Sequence, residues 1–281
     1  MPDIATFPEV HGHRGCRGLR PENTLAAFRH AVSLGVDVLE LDVVVSADHQ
    51  VVVSHEPWMS ATICRTPAGE AITRAEQLRH NLYAMPYALI RQYDCGLTQH
   101  PAYPEQVPGP AHKPLLREVV AAADAAARQQ GRAPVRFSVE LKSTPEGDTL
   151  FHPTPAVFLA LVLAELQVLG IASRTTLLCF DKRILQQVRQ AAPGLPLCLL
   201  VEDTKPLGAH LAELGFLPEV VGPDFRLLTP SLVANLREAG LSFVPWTVNE
   251  MADLRAVLAY RPQGITTDFP DRLLALRTSF V

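Results

Sequence analysis

Acids set inside apolar strands are the residues best placed to do chemistry. In Leu39-Glu40-Leu41-Asp42-Val43 carboxylates alternate with aliphatic residues, and alternate side chains of an extended chain share a face. Leu39, Leu41 and Val43 suit a buried layer, so Glu40 and Asp42 point together to the opposite side. Phe137-Ser138-Val139-Glu140-Leu141-Lys142 repeats the pattern and puts Glu140 and Lys142 on one face. Carboxylates gathered in an interior repel one another and lose hydration, so they call for a compensating cation. Glu40, Asp42 and Glu140 offer an oxygen-rich site for one hard divalent ion, Mg²⁺ or Ca²⁺. The arrangement that would do without an ion is a salt-bridge network of the three acids with Arg14 and Lys142.

Two histidines stand at matching places. His13-Arg14-Gly15 ends the first expected strand and His55-Glu56-Pro57 the third. Imidazoles flanking a metal-bound phosphodiester can act as general base and general acid. Arg14, with its bidentate fork, and Lys142, as a point charge, would neutralise phosphate oxygens. His11 shares a strand face with His13, but the later runs TTLLCF and PLCLLV add no histidine. A zinc site is therefore not expected, and His11 is read as a packed or supporting residue. Glu22 precedes a helix start at Asn23 or Thr24 and suits either the helix dipole or a contact with Arg14. Trp246 is read as a pocket wall, Asn249 as a helix cap, and Asp268 as a helix-starting or rim residue. Cys16 has no base assigned to it.

These side chains need a frame that brings separate strands to one mouth. Strands are expected at 10–14, 37–46, 51–55, 136–142, 175–180, 196–201, 242–248 and 264–267. Helices are expected at 23–34, 115–130, 155–169, 182–191, 231–239, 251–260 and 271–279. Strands alternating with helices indicate a parallel sheet with crossover helices. Eight strands fit a (β/α)₈ TIM barrel, whose active residues sit at the C-terminal ends of the strands. Residues 219–222 make an awkward ninth strand and are read as a connection. A doubly wound open sheet is disfavoured because no strand is followed by a GxGxxG or GxxxxGK[ST] loop. Residues 57–113, rich in proline and aromatics, are too long for a βα loop and read as an insertion or lid at the barrel mouth. The whole chain, 1–281, is otherwise read as one barrel domain.

Bulk properties narrow the classes. The 281 residues are 48% hydrophobic and 19% charged, with a net charge of −4, which gives no basic footprint for nucleic acid. No apolar stretch approaches the ~18 residues of a membrane span, so stable membrane insertion is not expected. The five cysteines at 16, 64, 95, 179 and 198 show no metal spacing and read as free thiols of a reducing compartment. The first ten residues lack a basic start and an apolar run, so a cytoplasmic enzyme is the default. The oligomeric state is not written in the sequence.

The near-continuous stretch from His11 to Pro57, HGHRGCRGLRPENTLAAFRHAVSLGVDVLELDVVVSADHQVVVSHEP, followed in order by RFSVELK, LLCF, WTVN and QGITTDFP, resembles the glycerophosphodiester phosphodiesterase family. The resemblance implies a metal-dependent barrel hydrolase that converts small-molecule glycerophosphodiesters to glycerol 3-phosphate and an alcohol. By motif, His13 and His55 correspond to a catalytic pair, Glu40, Asp42 and Glu140 to metal ligands, and Arg14, Lys142 and Trp246 to substrate contacts. Two positions depart from the family pattern: Glu56 stands where an aspartate is usual, and Cys179 where a serine is usual. A phospholipase or lysophospholipase D activity on the same barrel is the alternative.

Overall fold

The computed structural model describes residues 7–278. The first six residues of the stretch read for a leader, and Ser279 of the closing helix, lie outside it. Along the chain run β1 (Glu9–Gly12), α1 (Leu25–Leu34), β2 (Val38–Val45), β3 (Val51–Val53), the single-turn α2 (Tyr87–Ile90), α3 (Leu116–Gln129), β4 (Arg136–Leu141) and α4 (Pro155–Val168). They are followed by β5 (Thr175–Cys179), α5 (Lys182–Ala191), β6 (Leu197–Val201), α6 (Leu207–Leu214), β7 (Val220–Pro223), α7 (Pro230–Glu238), β8 (Ser242–Phe243), α8 (Met251–Ala259), β9 (Gly264–Thr267) and α9 (Pro270–Thr278). α1 shows how local sequence sets these limits. Thr24 caps its start by accepting from the Ala27 N–H at 3.2 Å, and Gly35, at φ +106°, ends it in the left-handed region. Between them Ala27, Phe28, Ala31 and Val32 form the face turned to the sheet.

The sheet runs in the order β8-β7-β6-β5-β4-β2-β1-β9, and its pairings are parallel. Backbone bonds from Gln263 to Phe243 (3.1 Å) and from Thr266 to Pro245 (3.0 Å) bring β9 back against β8. The result is a nearly closed (β/α)₈ barrel, as expected. Outward strand residues such as Leu39, Leu41, Val139 and Leu177 join the helices in the main core, which leaves the alternate residues to the barrel interior.

Two strand assignments change. β3 is not a barrel strand but the antiparallel partner of β2, with Val43 opposite Val53 and Val45 opposite Val51. Only five residues separate the two strands, far fewer than the dozen a parallel crossover needs. The eighth barrel strand is instead β7, which covers the segment read as a connection and pairs with β6 and β8. Gly222 and Pro223 weakened its strand signal, and α6 before it, which the sequence reading left unassigned, supplies the crossover.

Residues 57–113 build a small core of their own. Met59, Ile72, Leu82, Ile90 and Tyr93 pack with Val44, Val52 and Leu115 at the hairpin of β2 and β3. Within it Cys64 and Cys95, 31 residues apart, form a disulfide. This corrects the expectation of five free thiols: only Cys16, Cys179 and Cys198 are free, and all three are buried. Among the described residues no helix is long and apolar enough to cross a membrane.

Candidate active site at the barrel mouth

The first turn after β1 is shaped by Arg14 and Gly15. Arg14 takes φ +48°, uncommon for a residue with a side chain, and its N–H donates to Glu40 Oε2 at 2.9 Å. Gly15 has φ +86°, and a Cβ there would lie 2.8 Å from the Ala27 backbone. Only glycine fits, and its N–H reaches the Glu40 carbonyl oxygen at 3.3 Å. The HRG turn is thus pinned to β2 beside the Glu40 carboxylate.

β2 and β4 are neighbours in register, with Asp42 opposite Glu140. That register brings the three acids together: Glu40, Asp42 and Glu140 each offer a carboxylate oxygen, and these oxygens lie within 4.8 Å of one another. All three residues are buried. Lys142 Nζ lies 2.7 Å from Glu140 and 3.8 Å from Asp42. Arg14 lies 3.3 Å from Asp42 and 2.8 Å from Glu22. Asn23 Nδ2 donates to Asp42 Oδ2 at 2.8 Å. The salt-bridge network weighed from sequence therefore exists, but it does not close. Among the described residues no lysine or arginine side chain pairs with Glu40, whose contacts are the Arg14 N–H and, at 3.9 Å, His13 Nε2.

The electrostatics follow from that asymmetry. Burial, with Asp42 and Glu140 close by, pushes the Glu40 carboxyl well above the ordinary carboxylate range. Burial works against the charge on Asp42 as well, but Arg14, His55 and Lys142 outweigh it and hold Asp42 below its ordinary range. A hard divalent ion fits this donor set: three converging carboxylates, one of them without a cationic partner.

Both histidines face the same cavity, of about 1030 Å³, together with Arg14, Glu40, Glu140, Lys142 and Trp246. Asp42 sits behind them, 1% exposed. His55 follows β3, so it reaches the site from the hairpin and not from a barrel strand. Its Nδ1 lies 2.9 Å from Glu56 Oε1, so the longer acid still reaches its neighbouring ring. Burial opposes the Glu56 charge, yet the bond to His55 and the nearby Lys113 and Arg14 hold this carboxyl down to about 2. Lys113 Nζ is buried and donates to Ser54 Oγ at 2.8 Å.

The residue the sequence reading missed is Asp268. It is fully buried, not a rim residue, and its Oδ1 lies 2.6 Å from His13 Nδ1. Arg17 donates to both its oxygens at 3.0 and 3.2 Å, and Tyr103 and Asn249 donate to Oδ2 at 2.9 and 2.8 Å. Asn249 accepts in turn from the Asp268 N–H at 2.9 Å, which fixes the carboxylate and replaces the expected helix-cap role. Burial opposes the Asp268 charge, but His13 and Arg17 hold its carboxyl well below the ordinary range. An ionised acceptor makes Nδ1 the protonated nitrogen of His13 and leaves Nε2 turned to the acids. Burial presses the His13 ring down to about 4 against the pull of Asp268. The sequence signal was an aspartate directly after the last strand, where barrel sites lie.

Glu22 pairs with Arg14, and Thr24, not Asn23, caps α1. His11 packs against Gly264, with its ring 3.3 Å from Glu9. Cys179 lies in the outer core, its thiol donating to the Leu141 carbonyl at 3.1 Å. Cys16 is buried, which pushes its thiol up to about 12. Trp246 donates to the Gly222 carbonyl at 2.7 Å and meets Phe180 edge-on at 5.6 Å. Trp58, from the insertion, meets Phe151 at 5.3 Å on the same cavity. The cavity also reaches Arg136, Ser242 and Gln263 at the opposite end of the barrel, a depth unusual in a fold whose interior is normally filled.

Known proteins resemble this chain over nearly its whole length. A glycerophosphodiester phosphodiesterase of Bacillus subtilis is 28% identical over 92% of this chain and 83% of its own length. The crystal structure of a Silicibacter pomeroyi protein, named as a candidate glycerophosphoryl diester phosphodiesterase, superposes with a TM-score of 0.87 at 32% identity, covering 98% of this chain and 94% of its own. An Oleispira antarctica phosphodiesterase, solved with the product sn-glycerol-3-phosphate, shares the fold at a TM-score of 0.73 and 19% identity, over 96% of each chain. The model of the Glycerophosphoryl diester phosphodiesterase family matches residues 13–272, which run from the first imidazole of the site to the closing helix, and the chain belongs to that family.

Proposed function

We propose that this chain hydrolyses small glycerophosphodiesters to glycerol 3-phosphate and an alcohol, with one divalent cation held by Glu40, Asp42 and Glu140. The observation that carries the reading is the convergence of these buried carboxylates, one without a cationic partner, beside two imidazoles each bonded to its own acid. Bound Mg²⁺ or Ca²⁺ would supply positive charge where charge builds on the phosphoryl oxygens. Arg14 and Lys142 add fixed positive charge at the same place and orient the phosphate. His13 and His55 divide the proton transfers. One takes the proton of the nucleophile and the other protonates the departing alkoxide as its P–O bond breaks. Attack by water gives glycerol 3-phosphate directly, whereas attack by the glycerol hydroxyl beside the phosphate gives a cyclic phosphate whose ring P–O bond water then opens. Trp246 and Phe180 wall the side of the pocket that takes an uncharged part of the diester. The product bound by the Oleispira antarctica relative supports glycerol 3-phosphate as the product here.

The test is ³¹P NMR of glycerophosphocholine incubated with the protein and Mg²⁺ or Ca²⁺, against EDTA. Glycerol 3-phosphate is expected only with cation, and His13→Ala is expected to abolish it. Wild-type turnover by His13→Ala refutes the assignment. A second reading, lysophospholipase D activity, is favoured by one observation, the cavity that continues down the barrel past the aromatic mouth. Faster turnover of lysophosphatidylcholine than of glycerophosphocholine would select it. The Cys64–Cys95 disulfide favours an oxidising compartment over the expected cytoplasm.

A further inference from the structure

We propose that Tyr103, carried by the insertion, is a positioning residue for His13 and acts through Asp268. The inference rests on the proposed role of His13 as a proton-transfer group. Tyr103 lies 165 residues from Asp268 in sequence, yet its hydroxyl donates to Asp268 Oδ2 at 2.9 Å while His13 Nδ1 meets Oδ1 at 2.6 Å. The tyrosine hydroxyl and the imidazole thus hold opposite oxygens of one fully buried carboxylate. The Arg17 guanidinium bonds both oxygens and lies over the Tyr103 ring, 4.9 Å from its centre.

The segment that carries Tyr103 is held within itself before the tyrosine and stitched to the barrel after it. Gln99 donates to the Tyr103 carbonyl at 2.7 Å. Gln106 donates to the Arg17 carbonyl at 2.7 Å, and the Val107 N–H to the Leu19 carbonyl at 3.0 Å. Tyr103 itself is buried against Phe269, with ring centres 6.1 Å apart. A carboxylate can rotate about its Cβ–Cγ bond and drag a bonded ring with it, so a donor on the far oxygen fixes the imidazole plane. A misplacement of about 1 Å in a proton-transfer group can cost up to about a hundredfold in rate. Because Asn249 and Arg17 remain on Asp268, loss of the tyrosine hydroxyl alone should cost about tenfold.

The same insertion provides its own control. Tyr93 is also buried and its hydroxyl bonds His80 Nδ1 at 2.9 Å, inside the small core and away from Asp268. Tyr103→Phe and Tyr93→Phe each delete one phenolic hydrogen bond of the insertion, the first buried and the second partly buried. In the cation-loaded protein, Tyr103→Phe is expected to lower kcat about tenfold with KM unchanged, and to shift the His13 Nδ1–H resonance of protein labelled with ¹⁵N-histidine. Tyr93→Phe is expected to leave kcat and that resonance at wild-type values, whatever its melting temperature. If Tyr103→Phe leaves both readouts at wild type, or Tyr93→Phe lowers kcat equally, the positioning role is overturned. Wild-type activity of His13→Ala would instead overturn the underlying reading of the site, which keeps the two failures distinct.

Discussion

Replacing Glu40 with glutamine separates stability from function in a way that only a cation site produces. At 4.8 Å, the outer limit of the carboxylate separations, two unit charges in an effective dielectric of about 20 repel by about 3.5 kcal/mol. Glu40 faces two such neighbours and no lysine or arginine side chain pairs with it, whereas Asp42 and Glu140 are offset by Arg14 and Lys142. Glutamine keeps an oxygen to accept the Arg14 N–H but removes the charge. After the partial offset by the nearby cations, about 2 kcal/mol of repulsion is relieved, so the cation-free variant should melt about 5 °C above the cation-free wild type near neutral pH. The sign follows from the raised Glu40 carboxyl. The folded state holds that proton more tightly than the unfolded state, so this residue's contribution is favourable at low pH. It is lost as pH rises from the ordinary carboxylate range through the raised value, and the variant should lack that component.

With cation the order reverses. Free ion at a hundred times its Kd stabilises the wild type by about 2.7 kcal/mol. If the lost ligand weakens binding about a hundredfold, the same ion concentration stabilises Glu40→Gln by about 0.4 kcal/mol. Differential scanning calorimetry in EDTA and in Mg²⁺ or Ca²⁺, at two pH values, reads all of these quantities. Equal cation shifts in both proteins, or a cation-free variant less stable than wild type, would refute the argument.

Two further outcomes follow from the geometry. Asp268→Asn keeps the shape but loses the ionised acceptor that fixes His13 Nδ1–H, so kcat should fall on the order of 10³-fold, and a loss under tenfold would show that the pairing does not matter. Cys64→Ser with Cys95→Ser opens a loop spanning 31 residues and should cost about 3.7 kcal/mol in urea unfolding of the oxidised protein, while an unchanged midpoint would show that the bond does not constrain the insertion.

The sequence by itself determined the facing of each acid along its strand, and the register of β2 against β4 then brought the three together. Period-two alternation around Glu40, Asp42 and Glu140 says which way each side chain points, and that is a local property of an extended chain. The same holds for the helix stop at Gly35, while the start was left between Asn23 and Thr24 until the structure showed Thr24 as the cap. Tertiary structure decided everything set by long-range partners. β3 and β7 look alike as short apolar runs, and only the closing of the sheet shows which belongs to the barrel. Asp268 looks like a helix start until folding lays β9 against β1 and places its carboxylate on His13, 255 residues away. Cys64 and Cys95 read as isolated thiols because their pairing needs the fold of the insertion, and Tyr103 carries no local mark of its contact. Side-chain direction is encoded in backbone periodicity, but the identity of a distant partner is encoded only in the packing that brings the two together.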